Sequence, residues 1–404
     1  MKQAQAVAVA LLALVCTGCS ATTSAGSGRA TATESVRAPV ASAAPARPTC
    51  ASAGPLAPVS SVRGSGPAPW PQRLVVRQSP AELISGQVID PTTGVVYALI
   101  SRTHTPMRGP YVLECTELRT GSVRNGPVFL VGSLTTVSGY LWVYGEPRPD
   151  AQPVISQASP ATLARIRSVP LPQVPAGFGG AVFTTGPGSS VWIGSYRTLL
   201  RVDVSTGAVV TRVMLPPGLA VSDISVDPAH TTLYVSAARI VRYGVEGLVM
   251  LEYGAWSGHR LAEASSGVLR YSAAGAGLTA VPGGVWASFR TGMQGLTIHL
   301  ARAGLRMIAP PGPGIARTRP SGVFHWVMYE ATAYGGGALW LANQAGIMAC
   351  LDPRTGKARA SERRGQSTNQ LIYQLQAIDP ATRAIYALNL RGLLRITPPR
   401  RCWG

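Results

Sequence analysis

Lysine is nearly missing from this chain of 404 residues: 34 arginines stand beside only 2 lysines. Acidic residues number 17 and charged residues are 13% of the whole, so the formal charge of +19 rests on a small, one-sided set. Histidine is equally sparse, at 5. So few carboxylates and imidazoles argue against a channel enzyme in which Glu, Asp and His converge on a metal. Outside the first twenty residues there is no CxxC-type metal motif, and no GxSxG, HExxH, P-loop or helix-opening GxGxxG occurs anywhere. Helical periodicity of useful length is absent, as are the aromatic platforms or reading helix of a nucleic-acid binder. The longest apolar run near the start, "AVAVALLALV" (Ala6–Val15), falls short of the ~20 residues a bilayer span requires.

That run is instead the size of a signal-peptide core, and Lys2 supplies the positive charge ahead of it. The "TGC" that ends at Cys19 resembles a bacterial lipobox, with Cys16 where the usual leucine stands. The resemblance implies cleavage after residue 18, lipidation of Cys19 and anchoring on the outer face of the cell membrane. Ordinary secretory cleavage is the alternative. Residues 19–71 are mostly Ala, Ser, Thr, Pro and Gly, too poor in apolar surface to repay their ordering, and read as a tether. Four further cysteines (Cys50, Cys115, Cys350, Cys402) suit an oxidising compartment. The pairing Cys50–Cys115 with Cys350–Cys402 is preferred, Cys50–Cys402 is the rival, and buried free thiols stay open.

The remainder, 72–404, is punctuated by 45 glycines and 33 prolines in the whole chain, which suits short strands joined by tight turns. "IDPTTGVVYAL" (89–99) returns as "IDPATRAIYAL" (378–388). Its chemistry is an apolar strand, a turn set by Asp-Pro or Gly, and a second strand carrying one large aromatic. Degenerate copies place those aromatics at Tyr97, Trp142, Trp192, Tyr234, Trp286, Trp340 and Tyr386, 42 to 54 residues apart. A second strand pair lies between copies, clearest in 199–215 and 347–361. Four strands per repeat make one propeller blade. The last repeat supplies only three, ending in "GLLRITP" (392–398), while "QRLVVRQ" (72–78) is a strand without a repeat. The expectation is an all-β, seven-bladed β-propeller closed by an N-terminal outer strand in the last blade. Pairing the chain ends removes an open sheet edge.

"IDPTTGVVYAL", "VDVSTGAVVTRV" and "LDPRTGKARA" resemble the repeats of secreted YVTN-type and quinoprotein-amine-dehydrogenase-like seven-bladed propellers, over roughly 72–402. The arginine-for-lysine bias with abundant alanine looks like that of a GC-rich, actinobacterial genome. Those propeller families contain binding proteins and enzymes alike, so the resemblance implies architecture and leaves the activity open.

Reading just past each aromatic yields Arg102, Arg148, Arg197, Arg239, Arg290 and Arg391, each four to six residues on, while the sixth repeat departs with Asn343 and Gln344. In a propeller these positions gather around one channel mouth, where guanidinium forks suit phosphate or carboxylate. Solvated loop charge is the plain alternative. His104, and His325 with Trp326 in the long Pro-rich connection 309–330, are added as mouth candidates. Asp90, Asp227, Asp352 and Asp379 read as turn residues, and so does His230. The chain is therefore read as a monomeric binding or scaffold module. Its partner would be an anionic cell-envelope polymer, an anionic small ligand or a protein, with no cofactor, no metal, no nucleic acid and membrane contact through the anchor alone. A lyase, hydrolase or dehydrogenase-like propeller enzyme at the same mouth is the rival, and would need at least two of His104, His325, Glu146 and Glu330 in one pocket.

Overall fold

The computed structural model describes Cys50 and residues 70–77, 83–90, 93–101, 110–118, 122–129, 133–137, 139–145, 152–171, 180–241, 244–265, 277–291, 294–301, 305, 307–309, 330–343, 347–363, 372, 374–389 and 392–404. Strand β1 is Gln72–Arg77. Sheet one holds β2 (Leu83–Asp90), β3 (Val95–Ser101), β4 (Tyr111–Glu117) and β5 (Val123–Phe129). Sheet two holds β6 (Ser133–Val137), β7 (Tyr140–Gly145), β8 (Val154–Ala158) and β9 (Arg165–Pro170). Sheet three holds β10 (Val182–Thr185), β11 (Ser190–Ser195), β12 (Thr198–Asp203) and β13 (Val209–Met214). Sheet four holds β14 (Leu219–Val226), β15 (Thr232–Val241), β16 (Gly244–Gly254) and β17 (Arg260–Ala264). Sheet five holds β18 (Gly277–Val281), β19 (Gly284–Thr291), β20 (Gln294–Ala301) and β21 (Met307–Ala309). Sheet six holds β22 (Glu330–Gly335), β23 (Ala338–Asn343), β24 (Ile347–Leu351) and β25 (Ala358–Arg363). The last holds β26 (Gln374–Asp379), β27 (Ala384–Asn389) and β28 (Gly392–Ile396), with β1 as its fourth strand.

Seven four-stranded antiparallel sheets are thus formed by the described residues, and the fold is a β-propeller. The first strands of successive sheets touch in the order β2, β6, β10, β14, β18, β22 and β26, and β26 returns to β2. Cys50–Gly404 is one compact unit; Met1–Thr49 lie outside the described residues.

Each repeated aromatic stands on the second strand of its sheet, and its cross-strand partners explain the packing. On the first strand the partners are small: Val88, Thr135, Thr184, Ser225, Thr279, Ala333 and Ala377. A small residue opposite leaves room for the ring on the pleated face. Trp142, Trp192, Trp340, Tyr234 and Tyr386 are wholly buried. Tyr234 packs with Leu278, Ala280 and Val285 of the following sheet, and Trp142 with Val191 and Ile193 of its own neighbour. The rings therefore fill the seams between sheets. Two indoles also tie seams by hydrogen bonds: Trp192 Nε1 donates to Ala255 O at 2.9 Å and Trp286 Nε1 to Pro353 O at 2.7 Å. Both acceptors lie in the third turn of the next sheet. Gly356 sits there at φ 70°, and a Cβ on it would come within 2.6 Å of the Trp286 ring. Glycine is thus needed twice over, for its angle and for the close approach.

Residues 70–77 and the C-terminal residues fasten onto the last two sheets. β1 pairs antiparallel with β28 from Gln72↔Ile396 to Arg77↔Gly392, and Thr397 N donates to Pro71 O at 2.8 Å. Trp70 is buried edge-on against Trp340 at 6.4 Å, and its backbone amide donates to the Glu362 carboxylate. From the other terminus Trp403 tilts onto Trp340 at 5.0 Å. It lies over Gly336, where a Cβ would come within 2.5 Å of the ring. The two disulfides are Cys50–Cys115 and Cys350–Cys402. Cys115 and Cys350 are the third-strand partners of Tyr97 and Trp340, so the two bridges occupy equivalent places in their sheets. Cys50, Trp70 and Pro71, which the sequence reading assigns to the tether, are held on the propeller by these contacts.

The Cys350–Cys402 bridge closes a stretch of 52 residues between two fully buried sulfurs. Replacing both cysteines with alanine is expected to lower the unfolding free energy by about 2–4 kcal/mol. The shift of the denaturant midpoint measures it; an unchanged midpoint would show that the strand pairing alone holds the C-terminus.

Candidate functional site

The hydrogen bonds sort the connections into two faces. On one, the third turn of a sheet bonds to the first turn of the same sheet: Leu118 N to Gly94 O at 2.9 Å, Val204 N to Ser189 O at 2.8 Å and Ala255 N to Thr231 O at 2.9 Å. The turn carboxylates stand here. Asp227 accepts the amides of Thr231 and Thr232, Asp379 those of Ala381 and Thr382, and Asp352 those of Arg354 and Thr355. The Ser205 hydroxyl and then the Thr206 amide hold Asp203 down to about 2. The same kind of bonding lowers Asp352, led by the Thr355 amide. His230 completes a turn at φ 54°, its N–H donating to Asp227 O at 2.8 Å. These groups are consumed in backbone capping, which is structural work.

On the opposite face the hairpins between second and third strands meet the segments arriving from the preceding sheet. Val221 N donates to Tyr196 O at 2.7 Å, Ile240 N to Gly218 O at 2.7 Å, and Ser195 Oγ to Gly180 O at 2.9 Å. This is the face of the Arg197 turn. Arg197 is half-buried, and its guanidinium donates to Leu215 O through Nη2 at 2.9 Å and Nε at 3.3 Å. Its carbonyl in turn accepts Leu215 N at 2.8 Å. Arg197 therefore serves as a strap across its own sheet, with limited donor capacity left for a ligand. Arg239 is exposed and lies within β15 rather than in a loop, because the β15–β16 hairpin continues to Val241↔Gly244. Arg290 and Asn343 fall inside β19 and β23, their side chains outside the described set. Arg102, His104, Arg148, His325, Trp326, Gln344 and Arg391 lie outside the described residues, as do Cys19 and Glu146. Of the whole set, Arg197 stands in a hairpin turn of sheet three and Arg239 within a strand of sheet four.

The channel wall, formed by the first strands, holds a residue that motif reading passes over. Asp223, half-buried on β14, accepts Ile224 N at 2.8 Å and Leu278 N of sheet five at 2.7 Å. Ser225 Oγ two residues on accepts Ala280 N at 3.0 Å, and Thr279 and Thr332 hydroxyls meet at 2.7 Å across the next seam. Burial pushes the Asp223 carboxyl up to about 6 against the pull of its two amide donors. Alternation was the available signal: residues 223 and 225 share one side of the strand. Among the described residues no three of His, Cys, Asp and Glu are grouped to hold a metal ion.

A raised carboxyl has a fixed sign in stability. The folded protein holds the Asp223 proton up to about 6 while an ordinary aspartate loses it near 3.8, so the contribution is complete below about pH 4 and is lost as pH rises through about 6. Asp223→Asn should flatten this part of the stability curve between pH 4 and 6. Denaturant midpoints at four pH values measure the slope, and identical slopes in the two proteins would remove Asp223 from the account.

No protein-family model and no curated protein matches the sequence. Among solved structures, the Pan2 WD40 domain of Neurospora crassa is similar at TM-score 0.52 and 11% identity, over 78% of this chain and 90% of that one. BamB of Moraxella catarrhalis is similar at TM-score 0.49 and 14% identity, over 78% of this chain and 82% of that one. At 11% identity the likeness to the Pan2 WD40 domain is one of fold alone, in keeping with the ring of sheets described above.

Proposed function

We propose that the chain is an extracytoplasmic, seven-bladed propeller, lipid-anchored through Cys19, that binds an anionic cell-envelope polymer, small anionic ligand or protein at an arginine-rich channel mouth. The observation that carries the reading is the one-sided charge: from residue 72 onward 31 basic residues face 16 acidic ones, and the described aspartates are largely occupied in turns. A surface of that sign concentrates polyanions and steers them to a ring of guanidinium groups. Two disulfides fit an oxidising compartment, and among the described residues no helix is long and apolar enough to cross a membrane.

The test is retention of the full chain on immobilised polyphosphate across a salt series. Affinity should fall steeply with salt, and Arg102→Ser, Arg239→Ser and Arg290→Ser together should weaken it about ten-fold or more. Arg354→Ser and Arg383→Ser, both exposed on the turn face, should change it little. Binding indifferent to salt, or equal losses from the two sets, would overturn the mouth as the site.

A further inference from the structure

Among the described residues, every sheet of the propeller ends in an outer strand whose far edge has no strand beside it. Such edges are ordinarily blunted by charge, proline, glycine or brevity. β5 contains Gly126 and Pro127, β9 ends on Pro170, and β21 has three residues. β17, β25 and β1 each carry two or more charges. β13, with the sequence VVTRVM, differs from all of them: it has no proline or glycine and a single charge, Arg212. Its Val210 and Met214 are 49% and 43% exposed. The bulge in its pairing with β12 has counterparts in other sheets and leaves Thr211–Met214 regular.

The geometry of that edge is explicit. Leu215 N donates inward to Arg197 O, so by strand alternation Val213 and Thr211 turn their amides toward β12, while Arg212 and Met214 turn theirs outward. Thr211 and Val213 send side chains toward Gly258 of sheet four, which leaves Val210, Arg212 and Met214 on the other side. On the sheet-four side Trp256, 58% exposed, stands over Arg201 of β12, whose guanidinium lies 5.5 Å from its ring and whose Nε donates to Thr211 Oγ1 of β13 at 3.3 Å. An exposed arginine between exposed valine and methionine, on strand amides with no partner among the described residues and with an exposed tryptophan one strand further in, is what a strand-adding interface requires.

We infer that the outer edge of β13, with Trp256 one strand further in, is a docking surface for an extended, acidic segment of a partner protein, which adds to sheet three as a fifth strand. Charge selects the occupant. An incoming carboxylate meets Arg212, its apolar neighbours cover Val210 and Met214, and the opposite row lies on the Trp256 side. A second copy of this chain, at +19, is repelled. The surface is independent of the arginine mouth, and either can fail alone.

The test uses the full chain and a fluorescein-labelled eight-residue peptide alternating valine and glutamate, with a valine–lysine peptide beside it. The glutamate peptide should bind and slow hydrogen exchange at the Arg212 and Met214 amides. Trp256→Ala and Arg212→Glu should each weaken it about five-fold or more, whereas Arg401→Glu, the same charge change at an exposed residue near the C-terminus, should alter it less than about two-fold. The proposal is overturned if exchange at the two amides is unchanged by bound peptide, or if Arg212→Glu and Arg401→Glu act alike. Equal binding of the lysine peptide also overturns it. So does protection that grows with protein concentration in the absence of peptide, which would assign the edge to a second copy.

Discussion

Deleting residues 70–77 should cause the protein to associate and lose stability, although the deletion removes a single strand and the two residues before it. β1 occupies the outer edge of β28, and without it the sheet β26–β28 presents unpaired amides and carbonyls to solution. Trp70 goes with it, taking away one wall of the Trp340 site and leaving the Glu362 carboxylate, 2% exposed, without the Trp70 amide. Burying a carboxylate that has lost a donor costs about 1–3 kcal/mol, and loss of a buried tryptophan about 3–5 kcal/mol. Light scattering and the thermal midpoint measure the outcome. Arg73→Glu, at an exposed position of the same strand, is the control and should leave both unchanged within error. A deleted protein with the same scattering and midpoint as the intact chain would show that β1 does not hold the ring.

How the propeller became legible follows from its repeat. Each aromatic must sit opposite a small first-strand residue and fill one seam, so its spacing records the sheets even where surrounding residues drift. The Asp-Pro and Asp-x-x-Thr-Gly turns are equally visible, because capping needs a carboxylate at one position and glycine at another. Other features were hidden by connections of unequal length. Cys115 lies 18 residues after Tyr97 and Cys350 only 10 after Trp340, yet the two are equivalent partners across the same strand pair. Only the register reveals that. The arginine set had a similar difficulty. Counting four to six residues past each aromatic assumes that the hairpin has begun, whereas β15 and β19 run on to Val241 and Thr291 and absorb Arg239 and Arg290 into strands. Arg197 does reach a turn, and there the Leu215 carbonyl takes its guanidinium. Asp223 escaped because its partner amide, Leu278, is 55 residues away and belongs to another sheet.

Trp340→Ala is expected to be the most destabilising single substitution at any described tryptophan, at about 3–5 kcal/mol. The indole is wholly buried, donates to Gly335 O at 2.9 Å, and is touched by both Trp70 and Trp403. Truncation therefore opens a cavity that sheet six cannot collapse into, since Cys350 is held by its bridge and Trp403 rests on Gly336. Trp256→Ala supplies the contrast: at 58% exposed it should stay within about 0.5 kcal/mol of the parent. A cycle with Trp403→Ala separates packing from ring contact. The pair should show a coupling of about 0.5–1.5 kcal/mol, the range for a favourable aromatic contact beyond burial. Additive losses would mean that the two indoles fill space independently and that the C-terminus is held by the disulfide, whereas coupling would establish the Trp70–Trp340–Trp403 cluster as the element through which each end of the chain depends on the other.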